Sequence, residues 1–100
     1  MRMNELGKTA TTVREKDGVL SVVYHQTEVV KFDRNTSILT LDTDWHFTAT
    51  TKARMNQASN QFDLGYRVYQ KDFNWFVSFA KDDKMVTRKW PAGPSIIIQM

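Results

Sequence analysis

The chain has 100 residues, 41% of them hydrophobic and 12% aromatic, which suits one folded domain with its own core and excludes a disordered polymer. It has no cysteine, which excludes disulfide staples, thiolate metal sites and thiol nucleophiles. The net charge of +3 is uneven: residues 1–45 hold six basic and seven acidic side chains, residues 46–100 eight and four, a tilt that suits an anionic partner yet falls short of a basic arm.

Residues 1–10 are polar and aperiodic, and read as a flexible N-terminus ahead of a single α+β domain over 11–100. The opening MRMNELGKTAT has no apolar stretch behind Arg2 to make a secretion signal, and no later run approaches a membrane span. A cytoplasmic protein with no membrane contact is expected. Residues 11–16 and 19–25 flank Asp17-Gly18, the dipeptide that supplies two positive φ angles to a two-residue hairpin. Residues 28–32 and 37–41 are β-branched runs around Asp33-Arg34-Asn35 and predict a second hairpin.

A helix is predicted over residues 51–63, entered from Thr48-Ala49-Thr50-Thr51, where a threonine hydroxyl accepts a first-turn N–H, and ended by Gly65. Thr51, Met55, Ala58, Ser59 and Phe62 fall on one side and form its inner stripe. Period two returns after Gly65: Tyr66, Val68 and Gln70 alternate with Arg67, Tyr69 and Lys71, and Phe73, Trp75, Val77 and Phe79 with Asn74, Phe76, Ser78 and Ala80. A turn near Lys71-Asp72 joins these strands, and Lys81-Asp82-Asp83-Lys84 leads to another over 85–90. Pro91-Ala92-Gly93-Pro94 breaks it, and residues 95–99 form a terminal strand whose Ile96-Ile97-Ile98 favours pairing. The fold expected is α+β, an antiparallel sheet of about six to eight short strands with one helix packed on it, in the order ββββ-α-βββ(β).

Asp42, Asp44 and His46 alternate, so an extended chain presents two carboxylates and an imidazole on one face, and His25 could add a fourth metal ligand. The same Asp42-Thr43-Asp44 makes a plain polar turn near the helix start, and that reading is preferred; no metal and no cofactor is expected. G-x-S-x-G, P-loop and G-x-G-x-x-G patterns are missing, and nothing ties either histidine to a serine. No catalytic residue is assigned and an enzyme is not expected.

Two sets of residues suit binding. On the helix, Asn56, Gln57, Asn60 and Gln61, flanked by Lys52 and Arg54, form an outward face rich in amides. Amides donate and accept without the desolvation of a full charge, so this face suits a protein partner; the alternative is a solvated helix. Farther on, Arg67, Lys71, Lys84, Arg88 and Lys89 interleave with Tyr69, Trp75 and Trp90, as stacking and phosphate neutralisation on single-stranded nucleic acid require. Core packing is the competing account of those rings.

The segments YHQTEVVKFD at 24–33, WHFTATTKARMNQASNQFD at 45–63 and LGYRVYQKDFNWFV at 64–77 together resemble a group of small proteins of tailed bacteriophages and prophages. Members are similar in the order YHxTxVV, a short strand, a tryptophan, TTKxRMN, and a strand ending in tryptophan. Many have two glycines before the first tryptophan, where Thr43-Asp44 stand here. The resemblance implies a phage accessory protein in the host bacterial cytoplasm that binds a host or defence-system protein, such as a CRISPR–Cas component, and inhibits it sterically. It carries no site residues with it. Nucleic-acid binding by the basic and aromatic C-terminal half is the alternative, and the state expected is a monomer or a homodimer paired through Ile96-Ile97-Ile98.

Overall fold

Tight turns dictate most of the architecture. Lys16 lies opposite Val19, so only Asp17 and Gly18 join the first two strands, at φ 53° and 82°. Gly18 is required twice over: its φ is left-handed, and a Cβ there would meet Asn35 Nδ2 at 2.8 Å. That amide donates to Asp17 O at 3.0 Å while Arg34 N donates to Gly18 O at 2.8 Å, so the first turn is bound to the second. The computed structural model describes residues 11–100, and the expectation of a flexible segment over 1–10 lies outside the described residues.

The order is β1 (Thr11–Lys16), β2 (Val19–Tyr24), β3 (Thr27–Asp33), β4 (Ile38–Asp42), α1 (Ala49–Phe62), β5 (Tyr66–Lys71), β6 (Asn74–Lys81), β7 (Lys84–Lys89) and β8 (Ser95–Gln99). The expected α+β class and element order hold. The strands form two antiparallel sheets, one ordered β1-β2-β3-β4-β8 and one β5-β6-β7. The division follows from the chain: α1 interrupts the meander after β4, and the two prolines after β7 deny it a continuation and send β8 back to β4. Thr43 secures that return, its N–H and its hydroxyl both donating to Pro94 O at 2.8 and 2.7 Å.

The inner faces of both sheets and one side of α1 share a single core cluster that includes Leu20, Leu39, Leu41, Met55, Val77 and Phe79. Val29 and Val30 are both buried although adjacent, because a register shift at Val22/Val23 places an extra β3 residue against β2. In β8, Ile96 and Ile98 enter the core while Ile97 is 70% exposed, the alternation a paired strand imposes.

The helix starts two residues before the expected 51–63 and ends one earlier. Thr48 is its N-cap, accepting from Thr51 N at 3.2 Å. Asp63, at φ 54°, is the left-handed residue that ends it; Gly65 is left-handed too, but lies in the link to β5. Thr51, Met55, Ala58 and Ser59 are buried as expected, and Phe62 packs partly buried against the core. No acidic residue sits in the first turn and no basic one in the last, so tertiary contacts rather than charge hold the helix.

Those contacts centre on β5, an edge strand. Ser59 Oγ donates to Tyr66 O at 2.6 Å and accepts from Tyr66 N at 3.0 Å. One turn back, Asn56 accepts from Val68 N at 2.7 Å and donates to Val68 O at 2.8 Å. Tyr66 adds its phenol, which donates to Met55 O at 2.6 Å, and burial pushes its pKa up. Asn56 was expected on the outward face; it is instead a half-buried structural amide.

Two outcomes are expected. Asn56→Ala strands both Val68 backbone groups and should lower unfolding stability by about 1–3 kcal/mol, read as a lower urea midpoint at unchanged slope; a shift under about 0.5 kcal/mol would show that water replaces the amide. An unfolded chain ionises tyrosine near pH 10 while the fold keeps Tyr66 protonated, so the native state holds more protons above that pH. Stability should fall as pH rises past 10, by at most about 1.4 kcal/mol per unit from this group. Tyr66→Phe should make the decline shallower in denaturant titrations, and equal slopes for both proteins would count against a sealed phenol.

Candidate functional site

Among the described residues, four turns place two consecutive residues at positive φ: Asp17-Gly18, Asp44-Trp45, Asp72-Phe73 and Asp82-Asp83. The second position is where glycine is strongly preferred, and in two of the four it holds a large aromatic. Trp45, at φ 66°, is 67% exposed, and Phe73, at φ 68°, is 95% exposed. A left-handed backbone costs an L-residue about 1–2 kcal/mol, and the Phe73 ring recovers almost none of that by burial.

Both tips border one groove of about 320 Å³, floored by Trp75 and Trp90 with Phe47 beside them. Phe47 meets Trp75 edge-on at 5.2 Å and Trp90 at 6.2 Å, and the two indoles cross at 5.7 Å and 78°. The main chain fixes the indole pair, since Trp90 N donates to Trp75 O at 2.8 Å. Trp90 Nε1 is buried without an acceptor, so packing alone holds that ring. Lys52 Nζ stands 5.5 Å from the Trp75 ring centroid, a cation–π contact, and Lys89 lies on the groove margin. The result is a π-rich concavity with exposed aromatic jaws, to which Gln70, Asn74 and Lys89 add polar margins.

The helix residues singled out from the sequence do not form one face. Lys52 leans on Trp75, and the Arg54 guanidinium lies 5.3 Å from the Tyr24 ring centroid while its Nη1 donates to Gln57 at 3.2 Å. Asn56 is taken up by Val68, and Asn60 and Gln61 are the exposed members. The basic set also divides. The β5–β6 and β6–β7 registers put Arg67, Lys71 and Lys89 on the outward side of the smaller sheet, and Lys84 and Arg88 in line with the core-facing residues of this edge strand. Trp75 and Trp90 are buried, so as placed they are core rings and not stacking platforms for bases.

Asp42, Asp44 and His46 do not share a face, because the chain turns at Thr43–His46, closed by His46 N to Thr43 O at 2.8 Å. Asp42 accepts from Asp44 N at 2.8 Å, the bond of a polar turn. Among the described residues no three His, Asp or Glu side chains stand together as a metal site. A separate open cleft of about 820 Å³ lies where the β2–β3 turn, with Tyr24, His25 and Thr27, faces Thr48, Thr50 and Thr51 at the start of α1, with Asp44 and His46 beside them. Thr27 Oγ1 donates to Asp44 Oδ2 there at 3.4 Å, a long exposed contact.

The groove went unread from the sequence, although its signal is visible there. Asp-Gly, Asp-Trp, Asp-Phe and Asp-Asp occupy equivalent turns, and an aromatic where glycine belongs is informative once the turn is recognised.

The family model of the Kyanoviridae Gp96 protein matches residues 2–96 of the chain. No curated protein and no solved structure matches it.

Because the Phe73 ring is almost wholly solvated and its backbone is left-handed, Phe73→Gly should stabilise the fold by up to about 1 kcal/mol, part of the relief being offset by glycine's greater freedom when unfolded. Thermal or urea unfolding checks this. A loss of more than about 1 kcal/mol would mean that the ring serves folding and not recognition.

Proposed function

Since the chain belongs to the Kyanoviridae Gp96 protein family, and so is a phage protein, we propose that it is a non-enzymatic accessory protein that binds a host or defence-system protein in the host bacterial cytoplasm and inhibits it by occupying a surface. A CRISPR–Cas component is one member of that partner class. The observation that carries the reading is the pair of exposed aromatics, Trp45 and Phe73, on left-handed turn positions at one groove. Exposed tryptophan and phenylalanine beside a pocket have the chemistry of interface hot spots, each ring removing about 150–250 Å² from water when covered.

The partner that fits presents an apolar or aromatic side chain to the groove, with carboxylates near it to meet Lys52 and Lys89. Occupancy of this kind needs no catalytic group and no conformational change in the inhibitor. The amides Asn60 and Gln61 on α1 are a second polar surface that such a contact can use.

Immobilised protein incubated with host lysate is expected to retain a stoichiometric protein partner. Trp45→Ala and Phe73→Ala should each weaken that complex by about 30-fold, given roughly 2 kcal/mol per hot-spot ring, and the double variant by several hundredfold, with thermal stability unchanged or raised. Asn60→Ala/Gln61→Ala should leave it within about threefold, as for peripheral contacts. Loss in the amide variant alone would move the interface to the helix, and a lysate yielding no partner to the wild-type protein would sink the reading.

A further inference from the structure

The smaller sheet has a second side. Its inward residues, such as Tyr66, Val68, Trp75, Val77 and Phe79, are buried, so by alternation the residues between them face outward. The register aligns these across three strands: Arg67 lies opposite Ser78 and Thr87, Tyr69 opposite Phe76 and Lys89, and Lys71 opposite Asn74. Tyr69 and Phe76 stack, with centroids 5.4 Å apart and planes at 19°. Ser78 and Thr87 share a hydroxyl hydrogen bond at 3.0 Å.

No outward strand position of this sheet carries a carboxylate; Asp72, Asp82 and Asp83 are confined to the hairpin tips. Arg67 and Lys71 lie on β5 and Lys89 on β7, so cations flank the stacked pair on both sides, roughly 10 Å apart across two strand spacings. We propose that this face binds single-stranded nucleic acid over a short tract. Arg67, Lys71 and Lys89 neutralise phosphates, and unpaired bases stack on the Tyr69–Phe76 platform. The choice of a single strand rests on the rings. A duplex keeps its base faces stacked inside and offers this platform nothing, and an acidic protein segment meets the cations but leaves the π-faces unused. The carboxylates at the tips limit the tract to a few nucleotides.

Of the residues assigned to this site only Lys89 also borders the partner groove, so the test leaves that residue alone. Fluorescence anisotropy with a fluorescein-labelled oligothymidylate of about 15 nucleotides is expected to show binding at low salt. Three phosphate contacts on a single strand predict a log–log salt slope near −2, or roughly a 20-fold loss of affinity between about 50 and 200 mM salt. Arg67→Glu/Lys71→Glu should abolish binding, and Tyr69→Leu/Phe76→Leu, which keeps the face apolar and the sheet intact, should weaken it at least about tenfold. Circular dichroism shows whether each variant is folded, and single Tyr69→Leu and Phe76→Leu proteins replace the double variant if it is not. The proposal is overturned if the wild-type protein fails to bind the oligonucleotide at low salt, or if a duplex or polyglutamate of equal length competes as well as unlabelled oligothymidylate. It is also overturned if the leucine variants bind like wild type, which would leave only a nonspecific cationic surface.

Discussion

Ser59 and Asn56 do for one edge of β5 what a neighbouring strand does for the other. Three residues apart on α1, they reach Tyr66 and Val68, two residues apart on β5, and each accepts from one backbone N–H and donates to one C=O. The helix thereby imitates a strand. An edge that would otherwise be open to another chain is closed from within, and the angle between α1 and the smaller sheet is set by four hydrogen bonds in place of adaptable apolar packing. Tyr66 braces the seam by running its phenol back to Met55 O. Because α1 bonds to Tyr66 and Val68 along this edge, the contact sets how the smaller sheet lies against the helix.

The basic face of the smaller sheet and the aromatic groove differ in the means that makes them. The basic face is a product of register: alternation along β5 and β6 puts rings and cations on one side without strain. The groove depends on strain. Aspartate at the first position of a two-residue turn tolerates the left-handed region, but Trp45 and Phe73 at the second position do not gain from it. Glycine stands in the equivalent place at Gly18, where close approach by Asn35 demands it.

Much of the fold was legible in the sequence, because local signals and tertiary demands agree. Asp17-Gly18 marked the first hairpin, the period-two runs after Gly65 marked β5 and β6, and the stripe Thr51, Met55, Ala58, Ser59 matched the buried side of α1. What escaped was long-range or side-chain-specific. The prolines after β7 mark where the smaller sheet stops, but that β8 pairs with β4 joins residues more than fifty apart, and no local pattern names that partner. Asn56 looked like its amide neighbours Gln57 and Asn60 because composition does not reveal which amide meets a backbone. Trp75 and Trp90 looked like platforms because a ring between cations reads alike whether it points in or out, and the sheet's register decides.

The three tryptophans also divide the protein optically. Trp75 and Trp90 are buried with their rings crossed at 5.7 Å, close enough for their transitions to couple and to give the folded state an exciton signature in circular dichroism. Trp45 is mostly hydrated, and so emits at the red edge of the native fluorescence. One chain therefore holds an internal gauge of core integrity and a separate reporter at the mouth of the groove, each readable without a label.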